Sequence, residues 1–206
     1  PTLPTAVAGE EPWVTVPGRR GPGQGKRIVL VSGDEEYRSE ETLPQLARIL
    51  ARHHGFTCDV LFAIDPKDGT VQPNVNNNIP GLERLRGADL AILLIRWRNL
   101  PDEQMRHVVD YIESGRPILG MRTATHAFKL SSPTYAKYTW DSKVSGYEGG
   151  FGYQVLGTTW MYHHGEHGKE GTRGVFPRAA GDHPILNGIL PGTIFGTTDV
   201  YGVPQP

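Results

Sequence analysis

Four uninterrupted aliphatic runs constrain this chain more than anything else in it. The first reads Arg27-Ile28-Val29-Leu30-Val31-Ser32-Gly33, and comparable runs follow over 58–64, 88–95 and 117–121. A run that is apolar at successive rather than alternate positions is covered on both faces, as the strands of parallel sheets are. Between the runs lie stripes at helical spacing: Leu43, Leu46, Ala47 and Leu50, then Met105, Val108, Val109 and Ile112. Pro44 is expected in the first turn of its helix, where a missing N–H is harmless, while Pro101-Asp102 and Gly115 bracket the second helix. Strand alternating with helix predicts an α/β fold with a mostly parallel sheet, right-handed crossovers and helices on both faces. Ligands of such sheets bind beyond the carboxyl ends of the strands, which directs attention to 32–38, 64–69, 96–100 and 122–128.

At 206 residues the chain suits one domain over 26–206, preceded by an extended Pro/Gly-rich arm over 1–25 without apolar periodicity. Trp13 and Val14 are the residues expected to pin that arm to the body. With 21 Lys plus Arg against 22 Asp plus Glu, the chain lacks the basic footprint of a nucleic-acid or anionic-membrane binder, so neither is expected as a partner. No apolar run reaches the ~20 residues of a membrane span. Nothing at the N-terminus reads as a signal peptide, although a mature exported protein would look the same, so cytoplasm and periplasm both stay open. The single Cys58 cannot form an internal bridge and reads as a small buried hydrophobe at the wrong end of its strand for catalysis. The chain stops at Pro206, soon after a strand expected over 198–203, which leaves room for a longer natural protein. Assembly into a homo-oligomer is equally open.

Four segments could carry chemistry. In the first loop, Asp34, Tyr37 and Arg38 lie nearest the strand end and are the ligand-binding candidates; the competing reading is that its acids complement the helix dipole and that Ser39 or Thr42 caps. With one glycine and three carboxylates, the loop does not suit a phosphate. The third run passes directly into Arg96-Trp97-Arg98, two cations flanking an aromatic face, which suits a hydroxylated or anionic small molecule. The fourth run ends in Gly120-Met121-Arg122-Thr123-Ala124-Thr125-His126, the setting of a nucleophile elbow that displays one side chain above the sheet. Here that residue is Arg122, which cannot attack a carbonyl, so glutaminase-type covalent chemistry is excluded. Finally, Trp160 precedes His163-His164-Gly165-Glu166-His167, whose spacing is not that of a zinc protease but leaves metal binding, acid/base use and a plain polar loop as alternatives. His183 before Pro184 reads as a turn. Asp199 and Tyr201 alternate along the last strand and are expected to face one side.

Taken in order, residues 28–33, the elbow over 120–128, Gly149-Gly150-Phe151-Gly152, His183-Pro184 and Thr198-Asp199-Val200-Tyr201 resemble the ThuA-like family, named for trehalose utilisation. The resemblance spans about residues 26–203. It implies a flavodoxin-like three-layer sandwich similar to class I glutamine amidotransferases but without their cysteine, and a role in carbohydrate metabolism, with keto-sugars as substrates. In the family's better-known branch the elbow reads like Gly-Leu-His-Ala-Ala-Thr-Asp, so Arg122 stands at its His position and His126 at its Asp position. On this reading Arg96, Arg98 and Arg122 hold sugar oxygens, and Asp34, Tyr37, Arg38, Thr123, Thr125 and Asp199 complete the pocket. Trp97 and Trp160 stack on the ring, and His126, His163, His164 and His167 are the acid/base candidates for isomerase- or lyase-type proton transfer. Two alternatives stand beside it: a non-catalytic carbohydrate-binding or scaffold module, and a metal-assisted hydrolase using His163, His164, Glu166 and His167 with Zn, Mn, Fe or Ni. No other cofactor is implied.

Overall fold

The arm contains a strand. In the computed structural model, which describes residues 11–204, β1 (Trp13–Val16) runs antiparallel along the edge of β3 (Thr57–Phe62), with Trp13 opposite Leu61 and Val16 opposite Cys58. An edge strand pairs on one side only, so four residues between prolines suffice and leave no periodicity to read. Trp13 packs against the core with the Arg84 guanidinium 4.6 Å from its ring. Positions 1–10 of the expected arm lie outside the described residues.

The four aliphatic runs become β2 (Arg27–Gly33), β3, β4 (Leu90–Ile95) and β5 (Ile118–Gly120), all mutually parallel, in the sheet order β1-β3-β2-β4-β5. Counting only the parallel strands, the order is 2-1-3-4, as in doubly wound sheets. The fold is thus mixed α/β with a mostly parallel five-stranded sheet, although helices are few. α1 (Ser39–His54) follows β2 and α2 (Asp102–Glu113) follows β4, but only a short 3-10 turn, Leu82–Gly87, fills the connection before β4.

Strand alternation divides the core into two layers. Val29, Val31, Leu61, Leu93 and Ile95 face α2, the 3-10 turn, Phe128 and Phe151. Ile28, Leu30, Val60, Ile92 and Leu94 face Leu43 and Ala47 of α1. Each fully buried aliphatic side chain in these layers is worth roughly 1.5–3 kcal/mol relative to exposure. Pro44 falls in the second turn of α1, not the first, because the helix begins at Ser39. Its missing N–H removes the bond that Glu40 would have accepted. The helix ends on Gly55 (φ 84°), whose N–H donates to the Ala51 carbonyl while Phe56 N–H donates to that of Leu50. Cys58 is buried, and burial, aided by the neighbouring Asp59 charge, pushes its thiol up to about 11.

By internal contacts the chain divides into two compact units, 1–159 and 160–206. The second contains two short antiparallel pairs: β6 (Tyr162–His164) with β9 (Val200–Gly202), and β7 (Thr172–Arg173) with β8 (Phe195–Gly196). Among its described residues no hydrophobic side chain is buried; its buried residue is Asp199. No helix among the described residues is long and apolar enough to cross a membrane.

Candidate functional site

In the first unit the carboxyl ends of three parallel strands share a backbone feature. Arg38 (φ 51°), Trp97 (φ 45°) and Arg122 (φ 43°) are the described non-glycine residues in the left-handed region, and they follow β2, β4 and β5. That conformation costs an L-residue on the order of 1–2 kcal/mol, and such strain concentrates at functional sites. At the elbow, Met121 is still extended, Arg122 reverses the chain, and the 3-10 turn Arg122–His126 begins. The tight turn stands the Arg122 side chain over the Tyr37 ring at 4.8 Å, with its guanidinium donating to the Tyr37 hydroxyl at 2.8 Å.

The loop after β4 is zipped to the elbow. Trp97 N–H donates to the His126 carbonyl at 3.1 Å and Arg98 N–H to the Ala127 carbonyl at 2.7 Å. This places the Trp97 and His126 rings 5.5 Å apart. The Arg96 guanidinium lies 4.1 Å from the Trp97 ring centre and pairs with Glu35 and Glu36. His126 is 3% exposed, with Nδ1 3.3 Å from the Thr125 hydroxyl. The Thr125 hydroxyl in turn donates to the Arg122 carbonyl at 3.3 Å.

Several residues read from sequence as ligand-binding serve the protein's own framework. Arg98 is 2% exposed and donates to the carbonyls of Arg96, Pro73 and Val75 and to Glu35. Burial holds it below the usual guanidinium range, opposed by the nearby Glu35 and Asp34 charges. Asp34 is fully buried: Oδ1 accepts the N–H groups of Glu36 and Tyr37, both at 2.7 Å, and Oδ2 accepts the Thr123 hydroxyl. The pair thus fastens the first loop to the elbow. Arg38 points to solvent and pairs with Glu41. Ser39 caps no helix N–H; its hydroxyl accepts from Asp34 N–H at 2.9 Å and from Ser32 at 2.8 Å. Sequence reading missed Glu35, which bridges Arg96 and Arg98. Its only signal was the excess of carboxylates in a loop facing an Arg-Trp-Arg triplet.

In the second unit the histidines separate by strand alternation. His163 lies on β6 with its ring 5.3 Å from Tyr201 and 6.0 Å from Trp160. His164, the next residue, falls on the opposite face and is exposed. His163 Nδ1 donates to Asp199 Oδ2 at 2.6 Å, and His167 Nδ1 to Asp199 Oδ1 at 3.2 Å. Asp199 and Tyr201 do face one side, as their alternation predicts, but the Asp199 carboxylate holds imidazoles. Glu166 pairs with Lys169. Of the predicted histidines in this segment, the structure brings His163 and His167 together on the predicted Asp199. At the tail, His183 caps the 3-10 turn Pro184–Leu186, its Nδ1 accepting from Ile185 N–H at 3.2 Å, which is the turn role.

No protein-family model and no curated protein matches the chain. Among solved structures, it is similar to that of a protein from Bacteroides uniformis described as ThuA-like, at 14% identity and a TM-score of 0.51, over 91% of this chain. The chain spans 64% of that protein's length. At this identity the likeness is one of fold: the chain carries the mixed α/β, mostly parallel framework of a ThuA-like protein.

Proposed function

We propose that the protein handles a sugar or keto-sugar at the carboxyl ends of its parallel strands, on a flavodoxin-like framework of the class I glutamine amidotransferase kind that dispenses with the cysteine nucleophile. The carrying observation is the elbow: a left-handed Arg122 standing where a nucleophile would be displayed, braced by Tyr37 beside the Trp97–His126 pair. A guanidinium there suits an oxygen that gains negative charge. Removing the proton next to a ketone creates an enolate, and Arg122 would stabilise its oxygen while a base takes the proton. In this reading His126 is that base; in an isomerisation it returns the proton to the former carbonyl carbon while the neighbouring hydroxyl's proton passes to the enolate oxygen, and in an elimination it gives the proton to the leaving oxygen. Trp97 supplies an apolar face for the ring. The deep burial of His126 favours a second reading, a binding module in which the imidazole only shapes the pocket.

Incubation of the full chain with keto-sugars in D2O, followed by proton NMR, tests both. Loss of the signal next to the carbonyl, absent in H126N and reduced at least tenfold in R122M, is the expected result. Calorimetric binding without exchange would favour the binding module. Failure to bind any keto-sugar or parent sugar would overturn both.

A further inference from the structure

We propose that His163 and His167 hold a divalent transition-metal ion through their Nε2 atoms, with Asp199 orienting both rings from behind. This stands independently of the sugar-handling reading, because it rests on the second unit alone.

Local chain geometry assembles the pair. Strand alternation sends His163 to the face opposite His164, and Gly165 (φ 99°) and Gly168 (φ 77°) take left-handed conformations in the turn that carries His167 back. β9 pairs antiparallel with β6, setting His163 opposite Tyr201. That register delivers Asp199, 2% exposed, to both rings. The ring centres lie 5.0 Å apart, and a ring nitrogen of each histidine lies within 4.8 Å of one of the other.

The hydrogen bonds dictate the tautomers. An ionised carboxylate only accepts, so both Nδ1 atoms carry protons, and in the neutral rings each Nε2 presents a lone pair. A carboxylate behind a histidine is the usual outer partner of a metal-ligating imidazole, fixing its orientation and raising its basicity. For proton transfer one such dyad suffices. A second imidazole on the same carboxylate adds only a second oriented lone pair, and two protonated rings so close would repel. A dication uses both lone pairs and is favoured by the buried negative charge between them. The Tyr201 and Trp160 rings beside His163 restrict its rotation. Neutral imidazole suits Zn, Co, Ni or Cu.

Titration of the full chain with ZnCl2 by calorimetry, beside H163A, H167A, D199N and H164A, provides the test. One equivalent is expected to bind, with at least tenfold weaker binding in H163A and H167A, ten- to hundredfold weaker in D199N and unchanged binding in H164A. Electron spin-echo spectroscopy of the Cu(II)-loaded wild type gives a second readout that needs no variant to fold, with two coordinated imidazoles expected. Zinc binding that persists unchanged in the H163A/H167A double variant, absence of binding at micromolar metal, or fewer than two imidazoles on copper would each overturn the proposal.

Discussion

Residues 34–39, 96–98 and 122–126 show how charge is used when it is taken out of water. Arg98 satisfies three backbone carbonyls and Glu35 from a site that is 2% exposed, so it acts as a rivet between loops. R98M would leave those three carbonyls without this donor and Glu35 with Arg96 alone, and chemical denaturation is expected to show a loss of at least about 1–3 kcal/mol, the range for leaving a buried acceptor unsatisfied. Asp59 plays the same part at the other end of the sheet. Burial pushes its carboxyl up, but hydrogen bonds from Arg84, Thr15 and Arg27 outweigh this and hold it below the usual value. A folded pKa below the unfolded ~3.9 means a contribution that is complete above about pH 5 and disappears as the pH falls through the folded value. The stability gap between wild type and D59N, measured from urea midpoints between pH 6 and 3, should therefore shrink toward the acid end.

At the scale of elements, the elbow is held by what packs beneath it. α3 (Gly150–Leu156) approaches so closely that a Cβ on Gly152 would lie 2.1 Å from the Thr125 carbonyl oxygen and 2.9 Å from that of Thr158. Both obstacles are backbone and cannot rotate aside. Phe151 is buried edge-on against Phe128, their centres 5.2 Å apart. The Gly149-Gly150-Phe151-Gly152 motif thus reads as a packing device that presses a helix against the 122–126 turn. G152A is expected to cost about 1–3 kcal/mol, the usual range for overpacking, and to displace the 122–126 turn. Thermal denaturation and the fluorescence of Trp97 in a variant lacking the other tryptophans would register the two effects separately.

Over the whole molecule, the apolar core belongs to the first unit. Every buried hydrophobic side chain among the described residues falls between Ile28 and Phe151, whereas Val175, Ile185, Leu190 and Phe195 of the second unit are exposed. A fragment ending at Thr159 is therefore expected to melt cooperatively with native-like circular dichroism, and residues 160–206 alone are not. A non-cooperative melt of the longer fragment would show that its two apolar layers are insufficient. Sequence alone determined the four parallel strands of the sheet, the faces of α1 and α2, the elbow and the burial of Cys58, because hydrophobic periodicity and strand-end composition are local signals. It missed β1, whose register joins residues 42 to 48 positions apart, from Val16 with Cys58 to Trp13 with Leu61. Tertiary structure alone decided which charged residues face one another: that Arg98 and Asp34 turn inward, that Arg122 meets Tyr37, and that Asp199 serves His163 and His167. Those outcomes depend on contacts between segments up to 89 residues apart, set by loop geometry and strand register, and residue type carries no record of them.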